Sequence, residues 1–390
     1  MTREGALPLL RGGRWYRSMD TVPVPGGRLL CLAPEIIVRD DAARLRARRP
    51  AVPDRARRLE LLREAVELFR HGRVPVEGLG EQDPGDFAAS MRETAGLPPA
   101  LVRRWSGMLA DRLEELAPGE QAGLTVVSLP ANTFTCLEAV LEAALSGAAV
   151  WVRPSRREPL SSARLIGALL SAGWPAGALG YYPTAPRTLH ALIQGSDRQI
   201  VYGGDDLAAE LESRAAGPPS LDLRGPGRAC VIVDGRPDAE ELAARIAGDA
   251  GRFCTNTCVL ACLDGTEPLG RRLAGILDGI TLDPPDPRWP QASWPEPDAA
   301  RVAAFVMDRL APGGRLLTGR PVLSRAGGSV YLAPTLVEAD HPGHPLVGHE
   351  LPFPFAVMVA TDRAGARGLA ARSRFVHPAG FATSTEGVPS

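Results

Sequence analysis

Three cysteines stand at equal spacing in the segment GRFCTNTCVLACLDG: Cys254, Cys258 and Cys262. On a helix they would share one face and offer three thiolates to zinc or to an iron–sulfur cluster. The surrounding residues argue against that. VLACL reads as strand, the C-x-x-C spacing is absent, and no fourth ligand lies nearby. Two readings remain. In one, all three cysteines are small buried hydrophobes. In the other, Cys254, which follows a helical run and Gly251 and precedes the strand, is a single reactive thiol on a turn. A second cluster, His341, His344 and His349 beside Glu350 in HPGHPLVGHE, has enough donors for zinc. It sits in a Pro/Gly-rich loop rather than on a helix with H-E-x-x-H spacing, so ordinary loop histidines are expected and no metal.

Composition narrows the chemistry further. The chain has 390 residues and 44 basic side chains, and every one of the 44 is arginine. The absence of lysine excludes Schiff-base catalysis, a pyridoxal phosphate anchor, a Walker A phosphate loop and a kinase-type lysine, because each needs a primary amine. Acidic residues number 45, giving a net charge of -1, so nothing demands nucleic acid or an anionic membrane as partner. Six cysteines are too sparse for a disulfide scaffold and fit a reducing cytoplasm. No apolar run approaches the roughly 18 residues of a membrane span, and the N-terminus lacks an apolar signal core.

The elements that must position these residues follow from periodicity. LLRGGRWYRS and VPVPGGRLLCLAP read as small strands or hairpins. In PDRARRLELLREAVELFRHG, Leu59, Leu62, Val66 and Phe69 recur at helical spacing, Asp54 is placed to cap the start and Gly72 to end it. PPALVRRWSGMLADRLEEL is a second packing helix. From residue 124 the pattern alternates: strands at LTVVSL, AAVWV, LGYY and RQIVYG, and helices at TFTCLEAVLEAALSG, EPLSSARLIGALLSAG, RTLHALIQG and DLAAELESR. That alternation predicts a doubly wound parallel sheet, whose ligands lie at the carboxyl ends of its strands. GPPSLDLRGPGR reads as a crossing between domains. Strand and helix then alternate again through ACVIVD, AEELAARIAGDAG and CVLACLD. LDPPDPRWPQASWPEPD is expected to be a surface excursion. The division predicted is residues 1–217 for the N-terminal helices and a dinucleotide-binding domain, 218–370 for a thiol-bearing α/β domain, and 371–390 for a short return segment.

Six blocks in order resemble the aldehyde dehydrogenase superfamily. Residues 124–184 are similar to the family's stretch from its catalytic asparagine through its Lys-Pro-Ser-Glu motif, which sets Asn132 on the asparagine and Arg153, Pro154, Ser155 and Arg156 on the motif. IVYGGDD resembles the turn beside the cofactor phosphates and places Gly203 and Gly204 there. SLDLRGPGRACVIVD resembles the Leu-Glu-Leu-Gly-Gly block, with Asp222 on the glutamate. GRFCTNTC resembles the nucleophile block, with Cys254 on the cysteine. YLAPTLV and HELPFPFAVMV resemble the closing blocks, with Glu350 on the glutamate that holds the nicotinamide ribose.

The resemblance implies a cysteine-dependent, nicotinamide-dependent oxidoreductase with an α/β cofactor domain and a second α/β catalytic domain. A thiolate at 254 would add to an aldehyde, with the Asn132 amide and the Cys254 backbone N–H stabilising the oxyanion, and Asp222 would activate water against the thioester. Asp222 is one methylene shorter than the family's glutamate, so a merely structural acid is the competing reading. Arg156 stands where NAD-selective relatives carry a carboxylate and Arg153 replaces a lysine. Two guanidiniums suit a 2′-phosphate, so NADP is expected ahead of NAD. Gly203 and Gly204 let backbone approach a pyrophosphate, or simply turn the chain. Alternatives are reductive release of an acyl thioester, on coenzyme A or an acyl carrier protein, and a degenerate member without cofactor. Only 40 residues follow Glu350, which suits a homodimer rather than the family's usual tetramer.

Overall fold

The computed structural model describes residues 5–213 and 220–379. The boundary expected at 217/218 and the end of the segment expected at 371–390 lie outside the described residues. The chain divides into two compact units between Gly225 and Pro226.

The first unit is built on a seven-stranded sheet. Its strands are β1 (Leu9–Arg11), β2 (Arg14–Tyr16), β3 (Leu124–Ser128), β4 (Ala149–Arg153), β5 (Leu179–Tyr181), β6 (Arg198–Tyr202) and β7 (Leu221–Arg224), in the spatial order β7-β6-β3-β4-β5-β1-β2. From β7 to β5 all pairings are parallel, and the β1–β2 hairpin joins antiparallel to β5. Helices α1 (Glu35–Ala47), α2 (Arg55–His71), α3 (Pro99–Glu115), α4 (Glu138–Leu145), α5 (Leu160–Ser171), α6 (Leu189–Gly195) and α7 (Asp205–Ser213) accompany it. α2 starts where its cap predicts: the Asp54 side chain accepts from the Arg57 N–H at 3.0 Å, and Gly72 follows its last residue. Leu62, Val66 and Phe69 are buried at helical spacing.

Two sequence expectations change here. GPPSLDLRGPGR is more than a crossing, because Leu221–Arg224 pairs in parallel with β6 as the edge strand of the sheet. Flanking Gly and Pro hide so short a strand. The expected surface excursion also turns inward: Trp289, Gln291 and Ala292 are buried, and Trp289 joins the apolar core of the second unit. Asp286 organises this turn by accepting the backbone N–H groups of Arg288 and Trp289 at 2.8 and 3.0 Å.

In the second unit a six-stranded sheet carries β8 (Ala229–Val233), β9 (Thr257–Cys262), β10 (Gly314–Leu316), β11 (Thr335–Ala339), β12 (Phe355–Ala360) and β13 (Val376–Ala379), in the order β10-β11-β12-β9-β8-β13. Only β10 runs antiparallel to its neighbour. Strands β9 and β12 are apolar and buried on both faces, as parallel strands between helical layers require. The unit also holds α8 (Ala239–Ala247), α9 (Glu267–Gly279), α10 (Glu296–Leu310), α11 (Arg363–Ala370) and a small three-stranded antiparallel sheet of Ser293–Trp294, Ser329–Leu332 and Leu323–Ala326. No helix among the described residues is long and apolar enough to cross a membrane.

Candidate active site

The thiol loop comes first, because its backbone is unusual. After α8 the chain passes through Asp249, Ala250 and Gly251 at φ of 52°, 56° and 65°. Two consecutive L-residues in the left-handed region cost roughly 1–2 kcal/mol each, so the surrounding structure must impose the turn. Asn256 supplies one restraint. Its Oδ1 accepts the Phe253 N–H at 2.8 Å, while its Nδ2 donates to the carbonyls of Arg245 and Gly248, both at 3.0 Å, so it also satisfies the open end of α8. The turn delivers Cys254 to the surface just before β9, whereas Cys258 and Cys262 lie within that strand and are buried. Burial pushes both of these thiols up to about 12, which leaves them protonated and unreactive at neutral pH. The three cysteines therefore do not act as a set. Among the described residues no group of three or more His, Cys, Asp or Glu is placed to hold a metal.

Two further loops lock onto this one. A Cβ on Gly227 would lie 2.0 Å from the Cys254 carbonyl oxygen and 2.9 Å from its Cβ, so only glycine lets the backbone pass there. On the other side, a Cβ on Gly251 would lie 2.2 Å from the Pro354 nitrogen and 2.3 Å from the Phe353 carbonyl carbon. Glu350 closes the arrangement. Its Oε2 accepts the backbone N–H groups of Gly227 at 2.7 Å and of Arg228 at 3.1 Å, and Arg228 itself sits at φ 49°. All the non-glycine residues with positive φ among those described, Arg228, Asp249 and Ala250, thus belong to the loops that meet at Cys254. The structure brings Cys254 and Glu350 into one assembly through Gly227. Sequence reading missed Asn256 and Gly227, which act on backbone groups remote in the chain and carry no motif of their own.

The first unit holds the remaining candidates. Strand order reverses between β3 and β6, so a crevice is expected beyond the carboxyl ends of these strands. The loop leaving β3 carries Asn132, which is half-buried. Two residues on, Phe134 pins that loop, its ring meeting those of Phe69, Phe87 and Trp105 at centroid separations of 6.0, 5.7 and 5.4 Å. Gly203 and Gly204 leave β6 on the same side. A Cβ on Gly203 would meet the flexible side chain of Leu207, and one on Gly204 would meet nothing. Neither has a positive φ, so the backbone alone does not require glycine at either position.

Arg153 ends β4 opposite Ser128 of β3. Its Nε donates to Thr184 Oγ1 at 2.8 Å and its Nη1 to Ser128 Oγ at 3.1 Å. Burial first, and the charge of Arg156 second, pull its pKa down to about 10, so it stays protonated at neutral pH. Pro154 is buried, Ser155 Oγ accepts the Arg157 N–H at 3.2 Å, and Arg156 is exposed. A nicotinamide dinucleotide fits this edge. Arg153 is a charged fork with two of its five N–H donors spent on neutral hydroxyls, which leaves donors for ribose hydroxyls or a phosphate. Exposed Asp206, in the first turn of α7, fits less well, since it already supplies negative charge where a helix end would attract a pyrophosphate.

Asp222 lies on β7 with its carboxylate engaged. Oδ2 accepts from Arg224 Nε at 2.9 Å, and Arg224 also donates to Glu142 Oε2 at 2.9 Å and to the Tyr202 hydroxyl at 3.2 Å. Arg198 donates to the other oxygen of Glu142 at 2.8 Å. Burial alone would raise the Glu142 carboxyl, but the two guanidiniums hold it below the usual range. Asp222 is thus part of a charge chain, Asp222–Arg224–Glu142–Arg198, that residue type alone did not reveal.

The comparisons with known proteins agree with this architecture. The model of the "Aldehyde dehydrogenase family" matches residues 128–384. A curated relative, malonate-semialdehyde dehydrogenase 2 of Geobacillus thermodenitrificans, is 26% identical over 430 residues, spanning 97% of this chain and 86% of the relative. Among solved structures, a NAD-dependent benzaldehyde dehydrogenase from Corynebacterium glutamicum superposes with a TM-score of 0.78 at 15% identity, over 96% of this chain and 89% of that one. A NAD-dependent aldehyde dehydrogenase from Sinorhizobium meliloti gives 0.76 at 21% identity, over 94% and 80%. The chain belongs to the aldehyde dehydrogenase family. It is an oxidoreductase of that type.

Proposed function

We propose that the chain oxidises an aldehyde to the acid through a covalent adduct on Cys254, with a nicotinamide dinucleotide bound at the carboxyl ends of β3, β4 and β6. The observation that carries this reading is the left-handed triplet ending at Gly251, which is clamped by Phe353–Pro354 and followed by Cys254, whose backbone packs on Gly227 and whose side chain is exposed. Strain concentrated at one exposed nucleophile is a functional signature, because a merely structural turn gains nothing from it. The Cys254 thiolate attacks the aldehyde carbon, and the side-chain amide of Asn132 and the Cys254 backbone N–H receive the oxyanion. When bound, the dinucleotide supplies the acceptor for the hydride that leaves the thiohemiacetal. The thioester left on Cys254 is cleaved by water that Asp222 deprotonates. Glu350, by holding Gly227 and Arg228, keeps the thiol loop in place and would accept a hydrogen bond from the ribose of a bound dinucleotide. Steady-state formation of reduced nicotinamide from NADP or NAD with a panel of small aldehydes tests the reading, and its absence with every pair defeats it.

Two residue-level results follow. Asp222→Asn is expected to preserve the first turnover, seen as a burst of reduced nicotinamide, while steady-state turnover falls by about 10²-fold or more. An unchanged steady state would remove Asp222 from catalysis. For the cofactor, exposed Arg156 next to half-buried Arg153 supports NADP, because a 2′-phosphate then meets two cations. Arg156→Glu is expected to raise the KM for NADP about tenfold or more and to leave that for NAD unchanged or lower, from a charged hydrogen bond worth roughly 1.5–3 kcal/mol. Equal effects on both cofactors would refute the assignment.

The Arg224–Asp222 ion pair supports a second reading. A carboxylate oxygen already accepting a guanidinium N–H is less available to take a proton from water, and release of the acyl group to a thiol, on coenzyme A or an acyl carrier protein, needs no such base. Run in reverse, this is reduction of an acyl thioester. NADPH consumption with acyl-CoA, measured beside the forward assay, separates the two.

A further inference from the structure

A cleft of about 1010 Å³ opens in the first unit between the β1–β2 hairpin, the second half of α1 and the connector that follows it. Its charged lining is one-sided: Arg11, Arg14, Arg44, Arg48 and Arg49 face a single acid, Asp41. That acid is already committed. It takes two hydrogen bonds from Arg11, at 2.7 and 2.6 Å, and one from the Tyr182 hydroxyl at 3.0 Å. Arg44 pairs with Asp40 at 3.0 Å. Arg14, Arg48 and Arg49 are exposed and have no side-chain hydrogen bond or ion pair among the described residues. Some other arginines, Arg39, Arg57 and Arg245, take a helical neighbour as partner, Glu35, Glu60 and Glu241.

The end of α1 accounts for some of this charge, since the negative pole of a helix attracts cations in its last turn. It does not account for Arg14, which arrives from the hairpin, or for Arg49, which lies beyond the helix. Gathering these guanidiniums around one cavity costs repulsion that Asp41, the one acid in the lining, relieves only in part. A guanidinium fork matches phosphate oxygens in geometry as well as charge. Behind the arginines the lining includes buried Trp151 and Tyr182, with ring centroids 4.3 Å apart, which give the cleft a rigid apolar back. A volume near the upper end for small-molecule sites suits a ligand of nucleotide size.

We propose that this cleft binds a small molecule bearing several phosphate charges, at a site separate from the dinucleotide crevice. Its lining shares no residue with Arg153, Arg156, Gly203 or Gly204, and the proposal does not depend on the chemistry assigned to Cys254. The probe is inorganic tripolyphosphate, titrated calorimetrically into the full chain at low salt, with the Arg156→Glu chain titrated beside it to weigh any binding at the dinucleotide crevice. Arg14→Ala/Arg48→Ala/Arg49→Ala is expected to weaken binding at least about tenfold. A triple variant with the same charge loss elsewhere, Arg92→Ala/Arg103→Ala/Arg187→Ala, is expected to change it less than about twofold, since screened surface charge alone acts weakly. The single variant Arg49→Glu, at an exposed connector position, should weaken binding in the same direction and guards against a folding defect in the triple variant. Equal weakening by the two triple variants, or no saturable binding to the unaltered chain, would overturn the proposal.

Discussion

Cys254→Ala abolishes turnover and leaves the fold intact. The expected loss is on the order of 10³-fold or more, because the alanine side chain has nothing with which to form the covalent adduct, and whatever rate remains comes from binding alone. Stability should change by less than about 0.5 kcal/mol, since the side chain is exposed and removing it opens no cavity. This combination separates the nucleophile from the buried-hydrophobe reading of the same sequence. Cys262→Ala should behave in the opposite way. That thiol is 0% exposed within β9, so its loss leaves a void that costs roughly 1 kcal/mol, while turnover per folded molecule stays the same. Activity retained in Cys254→Ala would remove the covalent route.

Gly251→Ala destabilises the second unit and inactivates the enzyme. Two penalties add. At φ 65° an L-side chain costs about 1–2 kcal/mol, and the new methyl meets the backbone of Phe353 and Pro354 at 2.3 and 2.2 Å, where no rotamer can yield, for roughly another 1–3 kcal/mol. With an unfolding slope of about 3 kcal/mol per molar urea, the midpoint of the second unit should fall by about 1 M. If the loop instead gives way, Cys254 is displaced and turnover falls with little change in midpoint. Gly275, inside α9 with open space around it, is the contrast: alanine there should stabilise by up to about 1 kcal/mol. A Gly251→Ala chain with unchanged midpoint and unchanged turnover would show that the clamp on the thiol loop is not as described.

The sheet of the first unit was legible because its central strands are buried on both faces and read as short apolar runs between helical periods. The caps of α2 were legible for a local reason: Asp54 and Gly72 act within one turn of their own positions. Leu221–Arg224 was not, since an edge strand of alternating apolar and charged residues between Gly-Pro pairs looks like a linker. Burial of Trp289 escaped notice because the prolines around it signal a loop, and only tertiary packing turns that loop inward. At the candidate site, Cys254 stood out by its place outside the strand. Gly227 and Asn256 did not, because what fixes them is a backbone approach from another loop and the open end of α8. The arginines just beyond α1 were visible as composition, but the gathering of Arg48 and Arg49 with Arg14 around one cleft appears only when the hairpin is brought beside them.

The central claim, that the substrate becomes covalently attached to the sulfur of Cys254, is tested most directly by mass spectrometry of the Asp222→Asn chain quenched in acid after mixing with an aldehyde and oxidised nicotinamide cofactor. The expected result is a mass increase equal to one acyl group, located on the peptide containing Cys254 and released by hydroxylamine. An unmodified chain despite a full burst of reduced cofactor, or an acyl group carried on any other residue, would contradict it.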